Sequence, residues 1–186
     1  MRTRASTFHL IICFLISVDL YGQKSIEDYY IIGDSTKIFN TIDDIIQIEA
    51  LRDKGVYIDL WGTRCGPCLM EFQHLPALKK TFKNDSIVFL YLCSPYTKEW
   101  NDENAELWKK LIVKHDLEGI NLLMTAECYT DGLYEKYKDK FSPRTMYMIP
   151  RYLLVNKKGK IVNFNAPRPS SREKIYDAIQ LLLDDK

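Results

Sequence analysis

Two cysteines, Cys65 and Cys68, are separated by two residues and lie just after a short apolar run. That run, Val56 to Trp61, has a glycine at each end, which is typical of a buried central strand. The spacing of apolar residues then predicts a helix from about Pro67 to Phe82. The cysteine pair therefore lies where a buried strand passes into a helix, and the rest of the chain must fold around this unit.

The remaining chain alternates between helical and strand patterns. Helices are predicted at Thr41–Arg52, Asn104–His115, Leu133–Phe141 and Ser171–Leu183, strands at Ile87–Cys93 and Ile120–Met124, and a β-hairpin at Arg151–Phe164. We expect Thr41 to cap the first of these helices and Ser170 or Ser171 to cap the last. The alternation favours an α/β domain with a mainly parallel sheet covered by helices on both faces, and the hairpin makes that sheet mixed.

The first residues differ in composition from the rest. Arg2 and Arg4 precede an apolar run from Phe8 to Val18, shorter than the roughly 20 residues that span a bilayer. A basic start, a short apolar run and a polar exit are typical of a secretory signal, with cleavage expected near Gly22. An uncleaved anchor and a buried core segment are the alternatives. The expected organisation is a signal peptide at 1–22, a lead-in at 23–37 and one α/β domain at 38–186.

Charge and cysteine spacing exclude several function classes. The chain has 26 basic and 25 acidic residues, and a net charge of +1 provides no field to attract nucleic acid. No second Cys-x-x-Cys and no His-x-His is present, so a structural zinc site is not expected. The haem-attachment sequence Cys-x-x-Cys-His is also missing. We therefore expect no cofactor, no metal and no nucleic-acid partner.

Four cysteines remain after the expected cleavage: Cys65, Cys68, Cys93 and Cys128. Export would place them in an oxidising compartment, where thiols pair unless they are kept reduced. Cys93 ends one predicted strand and Cys128 follows another. If those strands are neighbours, the two cysteines can form a second disulfide; otherwise both are buried free thiols that behave as small apolar residues.

The position of the cysteine pair at a helix start gives its two thiols different roles. Two intervening residues let a disulfide ring close without unwinding the helix. Cys65 lies beside unpaired backbone N–H groups and the positive end of the helix dipole, which stabilise its thiolate. Cys68 lies one turn further in and is expected to be more buried. Cys65 is therefore the predicted nucleophile, and Cys68 the thiol that resolves the mixed disulfide.

Several segments resemble those of one known family. The stretch from Tyr57 to Cys68 is similar to the active-site strand and turn of thioredoxins. The runs Ile149–Val155 and Lys158–Val162 resemble the cis-proline strand and hairpin of that family. The export signal and the extra βα unit between residues 87 and 141 resemble the TlpA/ResA-like branch of exported thiol-disulfide oxidoreductases. The resemblance covers residues 38–186 and implies a thioredoxin fold with a βα insertion.

The resemblance implies two catalytic acids besides the cysteines. Asp59 matches a buried acid that passes protons to and from the resolving cysteine, and burial should raise its pKa towards working pH. Glu71, three residues after Cys68, matches an acid common in the TlpA/ResA-like branch. The alternatives are an ordinary hydrogen-bonded acid for Asp59 and a solvated helix residue for Glu71.

The resemblance also implies a client-binding surface. Pro150 would be the cis-proline, and the backbone of Ile149 would pair with a bound client. The candidate client-binding residues are Trp61, Arg64, Gly66, Pro67, Ile149 and Pro150.

Three positions depart from the family pattern. Arg64 stands where a second Trp is usual, and its charge should favour the thiolate of Cys65. Gln73 stands where the active-site helix often has a proline, and the nearby proline is Pro76. Arg151 stands after the cis-proline position, where Thr is common, and a cation there would favour acidic clients.

The resulting hypothesis is an exported enzyme that reduces protein disulfides. The Gly-Pro pair between the cysteines is that of thioredoxin, whose potential is about −270 mV, against about −120 mV for the oxidant DsbA. The expected partners are a disulfide-containing client, of which apocytochrome c is common in the family, and a membrane-bound electron donor. The alternatives are a disulfide oxidase or isomerase, a non-catalytic binding module of the same fold and a copper chaperone.

Overall fold

Residues 24–32, 39–95 and 102–184 are described by the structure, a computed structural model. They form a six-stranded sheet in the spatial order β1-β4-β3-β2-β5-β6. The strands are β1 Tyr30–Ile32, β2 Gly55–Trp61, β3 Ile87–Cys93, β4 Ile120–Leu123, β5 Arg151–Val155 and β6 Ile161–Asn163. Neighbours from β1 to β2 pair in parallel, whereas β5 pairs antiparallel with both β2 and β6. The predicted mixed sheet is therefore confirmed.

The helices lie on both faces of this sheet, as predicted. They are α1 Ile42–Ile46, α2 Gly66–Glu71, α3 Leu75–Thr81, α4 Asp102–Lys114, α5 Ala126–Tyr129 and α6 Glu173–Asp184. Short 3-10 turns lie at Ile26–Asp28, Glu49–Leu51, Phe72–His74, Lys138–Lys140 and Pro169–Ser171, and a π-helical turn at Thr130–Glu135 extends α5. Helices α2, α3, α4 and α6 pack on one face, and α1 and α5 on the other. Within the described ranges, no helix has the length and apolar character needed to cross a membrane.

Strand β2 is buried along its whole length at the centre of the sheet. Its apolar sequence suits a strand that is covered on both faces. It pairs in parallel with all of β3 and antiparallel with β5, where Asp59 lies opposite Tyr152. Because both edges of β2 are paired, its carboxyl end leads into the cysteine pair from a fixed position.

The helix predicted from Pro67 to Phe82 is broken in two. A 3-10 turn at Phe72–His74 separates α2 from α3. Pro76 has no N–H to donate to the carbonyl of Phe72, and its ring crowds that carbonyl, so a regular helix cannot continue here. The break is therefore set by Pro76, although Gln73 stands where the family often has its proline.

The first helix begins as predicted but ends early. The Thr41 hydroxyl accepts a hydrogen bond from the Asp44 N–H, and the Asp44 carboxylate accepts one from the Thr41 N–H. This capping box confirms the predicted N-cap. Helix α1 stops at Ile46, and a separate 3-10 turn takes the place of the predicted last turn.

Two later helix boundaries also differ from the prediction. The helix predicted at Leu133–Phe141 starts earlier, at Ala126, and continues as the π-helical turn. The last helix begins at Glu173, so the predicted cap by Ser170 or Ser171 is wrong. Ser170 belongs to the preceding 3-10 turn, and its side chain has a different partner, described below.

Strand β1 lies in the segment interpreted as a lead-in, so the sheet has one strand more than predicted. Its three residues, Tyr30–Ile32, pair in parallel with β4. A strand this short is too brief to show a hydrophobic period. The expected signal peptide at 1–22 lies outside the described residues, as do residues 23 and 33–37 of the lead-in.

Successive residues of a strand point to opposite faces, so the central strands divide their side chains between two cores. The aromatic face contains Tyr57, Trp61, Phe72, Tyr91 and Tyr152. The aliphatic face contains Val56, Ile58, Leu60, Leu90 and Leu153. Cys68 belongs to the core of the aromatic face, so the cysteine pair lies on that side of the sheet.

Candidate active site

The cysteine pair opens helix α2 as a disulfide. Cys65 is the N-cap residue and is partly exposed, whereas Cys68 is fully buried. The two Cα atoms lie 5.2 Å apart, and the Cys68 N–H donates a hydrogen bond to Cys65 Sγ at 3.2 Å. Pro67 in the first turn removes no helix hydrogen bond. The predicted difference in access between the two sulfurs is confirmed.

The rim of the disulfide is exposed at Arg64, Gly66 and Pro67. A Cβ added at Gly66 would meet nothing within 4 Å, so this surface is open to a partner. Trp61, by contrast, is fully buried and packs edge-on against Phe72, with 5.2 Å between the ring centroids. Trp61 therefore supports the site from inside and presents no surface to a client.

Asp59 is buried on the same face of the sheet as Cys68, with only 1% of its surface exposed. It stands between Tyr91 of β3 and Tyr152 of β5. Neither carboxyl oxygen has a hydrogen-bond partner within the described ranges. Burial raises the pKa of Asp59 well above its usual value, and the negative charge of Glu71 raises it further. An acid in this environment favours its protonated form.

Glu71 is also buried, with 7% of its surface exposed, so it is not a solvated helix residue. Ser170 donates two hydrogen bonds to it, from N–H to Oε2 at 3.0 Å and from Oγ to Oε1 at 2.9 Å. A guanidinium nitrogen of Arg168 lies 3.9 Å from Oε1. The sequence contains no local signal for this contact, because 99 residues separate Ser170 from Glu71.

The peptide bond between Ile149 and Pro150 is cis, as predicted. These two residues are partly buried and lead into β5, the antiparallel neighbour of β2. Tyr147, just upstream, has a φ of 64°, a left-handed conformation that is uncommon for a bulky residue. Its hydroxyl donates to Glu135 Oε1 at 2.8 Å, and its carbonyl accepts a bond from the Tyr129 hydroxyl at 3.0 Å. The loop before the cis-proline is thus fixed to the turn that extends α5.

Arg151 is buried and does not belong to the exposed surface around the disulfide. Its guanidinium donates to the Thr145 carbonyl and lies over the Phe141 ring, 4.9 Å from the centroid. The expectation that Arg151 selects acidic clients is therefore wrong. At this strand position the side chain points to the aliphatic face, where it ties the loop at 142–149 to β5.

Cys93 and Cys128 are free thiols, buried on opposite faces of the sheet. The sheet separates them, so the second disulfide considered above does not form. Burial raises the pKa of both thiols, that of Cys128 to about 12. Such thiols are unreactive. In the part of the chain that the structure describes, no group of three His, Cys, Asp or Glu side chains could hold a metal ion.

Comparisons with known proteins identify similar chains. The family model described as Redoxin matches residues 37–179. The protein of Bacillus cereus named thiol-disulfide oxidoreductase ResA is 26% identical over 157 residues, which are 82% of this chain and 80% of the relative. A crystal structure of a candidate thiol-disulfide oxidoreductase from Bacteroides vulgatus is 32% identical, with a TM-score of 0.50 over 71% of this chain and 80% of that one. The thioredoxin domain of another Bacteroides vulgatus thiol-disulfide oxidoreductase is 19% identical, with a TM-score of 0.55 over 74% of this chain and 84% of that one. The fold is therefore the thioredoxin fold.

Proposed function

The chain belongs to the redoxin family and is a thiol-disulfide oxidoreductase, and from this premise we propose that it reduces disulfides of exported proteins through Cys65 and Cys68. The observation that carries the proposal is the partly exposed Cys65, joined at a helix start to the fully buried Cys68. One sulfur is accessible to a client while the other is protected behind it. This is the arrangement that sequential thiol exchange requires.

Two sulfur exchanges transfer two electrons to the client. The Cys65 thiolate of the reduced protein attacks one client sulfur, the client disulfide breaks, and the other client sulfur leaves and takes a proton from water. Cys68 then loses its proton and attacks Cys65 Sγ, which releases the first client sulfur as a thiolate. The product is the Cys65–Cys68 disulfide, and a thiol donor must return two electrons to it for the next turnover.

In this scheme Asp59 exchanges a proton with Cys68. The two residues share the buried side of the site, and the raised pKa of Asp59 brings its titration towards the working pH of the enzyme. Asp59 takes the proton when Cys68 becomes the nucleophile and returns it when the disulfide is reduced by the donor. Burial and, to a smaller extent, the negative charge of Glu71 raise the pKa of Asp59, and so raise the pH at which Asp59 is ionised and able to accept the proton of Cys68.

The client would dock on the exposed rim of the disulfide. Arg64, Gly66 and Pro67 form one side of this surface, and the cis peptide bond of Ile149 and Pro150 would provide the backbone that pairs with the client. Trp61 would act only by supporting this surface from the core. The chemical class of client is a protein with an accessible disulfide, and apocytochrome c is one candidate within that class.

Residues 1–22 would direct the protein out of the cytoplasm, and a membrane-bound dithiol donor would keep the pair reduced there. The supporting observation is the sequence itself, a basic start followed by a short apolar run. Mass spectrometry of the mature protein from an exporting host would test this. The proposal expects a chain that begins near Gln23, and a chain that retains Met1 in the cytoplasm would contradict it.

A Cys68→Ser variant tests the proposed reaction most directly in cells. It can form the mixed disulfide on Cys65 but cannot resolve it, so client proteins should accumulate as covalent adducts that a reductant releases. Cys65→Ser in the same host is the control and should capture nothing. Cys93→Ser should behave like the wild type, because that thiol is buried.

The alternative functions predict different outcomes in this experiment and in two others. A non-catalytic binding module would keep its biological activity in Cys65→Ser and form no adduct in Cys68→Ser. A disulfide oxidase or isomerase would also form adducts in Cys68→Ser, so removal of the gene distinguishes these functions. Without an oxidase the clients stay reduced, without an isomerase they keep wrongly paired disulfides, and without a reductant they stay oxidised. A copper chaperone would hold one Cu(I) per chain with both thiolates.

A further inference from the structure

The segment at 166–170 crosses the aromatic face and contacts it at three points. The Ala166 N–H donates to the Tyr152 carbonyl at 2.9 Å, and the Tyr57 hydroxyl donates to the Pro167 carbonyl at 2.9 Å. The third point is the pair of hydrogen bonds from Ser170 to Glu71. The first two contacts fix the segment against β5 and β2. Because its own segment is anchored to β5 and β2, Ser170 is held against the active-site helix α2.

Asp59 is surrounded by groups that do not neutralise its charge. Tyr57 faces it from β2, Tyr91 from β3 and Tyr152 from β5, and each of these phenols is affected by the Asp59 charge. From α2, the charged group that acts on Asp59 is the Glu71 carboxylate. Burial is the larger cause of the raised pKa of Asp59, and the charge of Glu71 adds to it. A change in the position of the Glu71 carboxylate would therefore change how readily Asp59 ionises.

Glu71 stays in this position because of its partners. Each carboxylate oxygen accepts a hydrogen bond from Ser170, and Arg168 lies beside Oε1. Hydrogen bonds to a carboxylate stabilise its charged form and fix its orientation. Without the Ser170 hydroxyl, Oε1 would lose its closer partner, and the side chain could turn towards water at the protein surface.

We propose that Ser170 is a positioning residue for the resolving step, in which it holds the Glu71 carboxylate in its buried position at the site and so sets the pH range of the reaction. The inference rests on the proposed function. In the resolving step the proton of Cys68 goes to the Asp59 carboxylate, and Cys68 Sγ attacks Cys65 Sγ. The bond between Cys65 and the client sulfur breaks, and that sulfur leaves with the electron pair. A negative Glu71 nearby disfavours ionised Asp59, which moves the onset of the step to higher pH.

Single-turnover kinetics with the aromatic disulfide DTNB separate this step from the first attack. The fully reduced protein releases one thionitrobenzoate when Cys65 attacks and a second when Cys68 resolves the mixed disulfide. Cys93 and Cys128 are buried and should not react in this time. The midpoint of the second phase against pH reports the ionisation that permits resolution.

Ser170→Ala should let the Glu71 carboxylate move away, so that Asp59 ionises more readily and the midpoint moves to lower pH. We expect a shift of about 0.5 pH units, which corresponds to part of one charge-assisted hydrogen bond. Glu71→Gln removes the charge itself and should move the midpoint in the same direction by a larger amount. Ser170→Thr keeps the hydroxyl and should restore the wild-type midpoint. Ser171→Ala is the matched control, because the Ser171 side chain makes no hydrogen bond to Glu71 within the described ranges.

The proposal is overturned if Ser170→Ala and the wild type have the same midpoint while Glu71→Gln is shifted. It is also overturned if Ser170→Ala lowers only the melting temperature, which is the result of a purely structural contact. Failure of the proposed function looks different. The wild type would then release no second thionitrobenzoate, or Cys65→Ser would release the first as fast as the wild type.

Discussion

The two faces of the sheet are built from alternate residues of the same strands, yet they differ in chemistry. On β2 the aliphatic face receives Val56, Ile58 and Leu60, which are buried and apolar. The aromatic face receives Tyr57, Asp59 and Trp61 from the same strand. The first set contributes only apolar burial, whereas the second adds a buried acid, a phenol and an indole.

The polar atoms of the aromatic face are poorly satisfied. The carboxyl of Asp59, the hydroxyls of Tyr91 and Tyr152 and the indole N–H of Trp61 have no hydrogen-bond partner within the described ranges. Each such group costs about 1 to 3 kcal/mol when it is buried without a partner. The chain tolerates this cost beside its cysteine pair, and we infer that the polar groups there serve the chemistry, whereas the apolar side chains of the aliphatic face serve stability. The substitutions below test that separation.

The largest contrast is expected between two cysteines of the aromatic face. Cys65→Ser removes the accessible sulfur and should reduce the turnover of insulin disulfides by more than about 10³-fold, as loss of a nucleophile does in other enzymes. Cys93→Ser should keep nearly full activity, because burial raises the pKa of that thiol and keeps it unreactive. Equal losses in the two variants, measured as initial rates with the same reductant, would contradict the assignment.

On the aliphatic face, Ile58→Ala should destabilise the protein without changing its chemistry. Ile58 is fully buried, and truncation of such a side chain costs about 2 to 5 kcal/mol. Urea unfolding measures the loss, and Val162→Ala, at a half-exposed position, should change the unfolding free energy by less than about 0.5 kcal/mol. The folded fraction of Ile58→Ala should react with DTNB at the wild-type rate. A slower reaction would show that the two faces are coupled.

Asp59→Asn, unlike Ile58→Ala, should increase the free energy of unfolding at high pH. Because the folded pKa of Asp59 is raised, the folded protein keeps a proton that the unfolded chain loses above about pH 4. The stabilising contribution of Asp59 is therefore complete below that pH and is lost as the pH rises to the folded pKa. At about pH 8 the variant should be more stable than the wild type by about 1 to 3 kcal/mol, and the gain should vanish near about pH 4.

Urea unfolding at both pH values tests this, with Asp139→Asn at an exposed position as the control. The same Asp59→Asn protein should resolve the mixed disulfide more slowly than the wild type. A variant that loses stability at high pH would show that Asp59 has a favourable partner in the core.

The smallest effect is expected at Arg151, a buried charged residue on the aliphatic face. Arg151→Met removes the hydrogen bond to Thr145 and the contact with the Phe141 ring, and should cost about 1 to 2 kcal/mol of unfolding free energy. Arg144→Met changes an exposed arginine of the same loop and should be nearly neutral. If Arg151→Met changed the single-turnover rate with DTNB, Arg151 would belong to the site after all.

The parts of the site that could be predicted from the sequence depend on local order along the chain. The cysteine pair is predicted by the local order of strand, turn and helix, whereas the buried acid Asp59 and the cis-proline Pro150 are implied by short segments that resemble those of thioredoxins. The same local patterns predicted the central strands and the Thr41 cap. Short-range steric and hydrogen-bond preferences are sufficient to determine these features.

The parts that could not be predicted depend on contacts between distant residues. Ser170 has the side chain of a helix cap, but tertiary packing turns it to Glu71. The charge of Arg151 suggests a residue that docks a client, but successive residues of β5 point to opposite faces, and Arg151 points into the core. Strand β1 is recognisable only from its pairing with β4. A contact between side chains 99 residues apart, such as that of Ser170 with Glu71, leaves no pattern in a single sequence.

The equilibrium reduction potential of the Cys65–Cys68 pair shows whether the aromatic face holds a reducing dithiol. Titration of the purified protein against dithiothreitol buffers, read by mass after rapid alkylation, gives the value. We expect a single two-electron transition well below about −200 mV and near the thioredoxin value of about −270 mV. A midpoint above about −200 mV would identify an oxidase or isomerase instead and would contradict the proposed direction of electron flow.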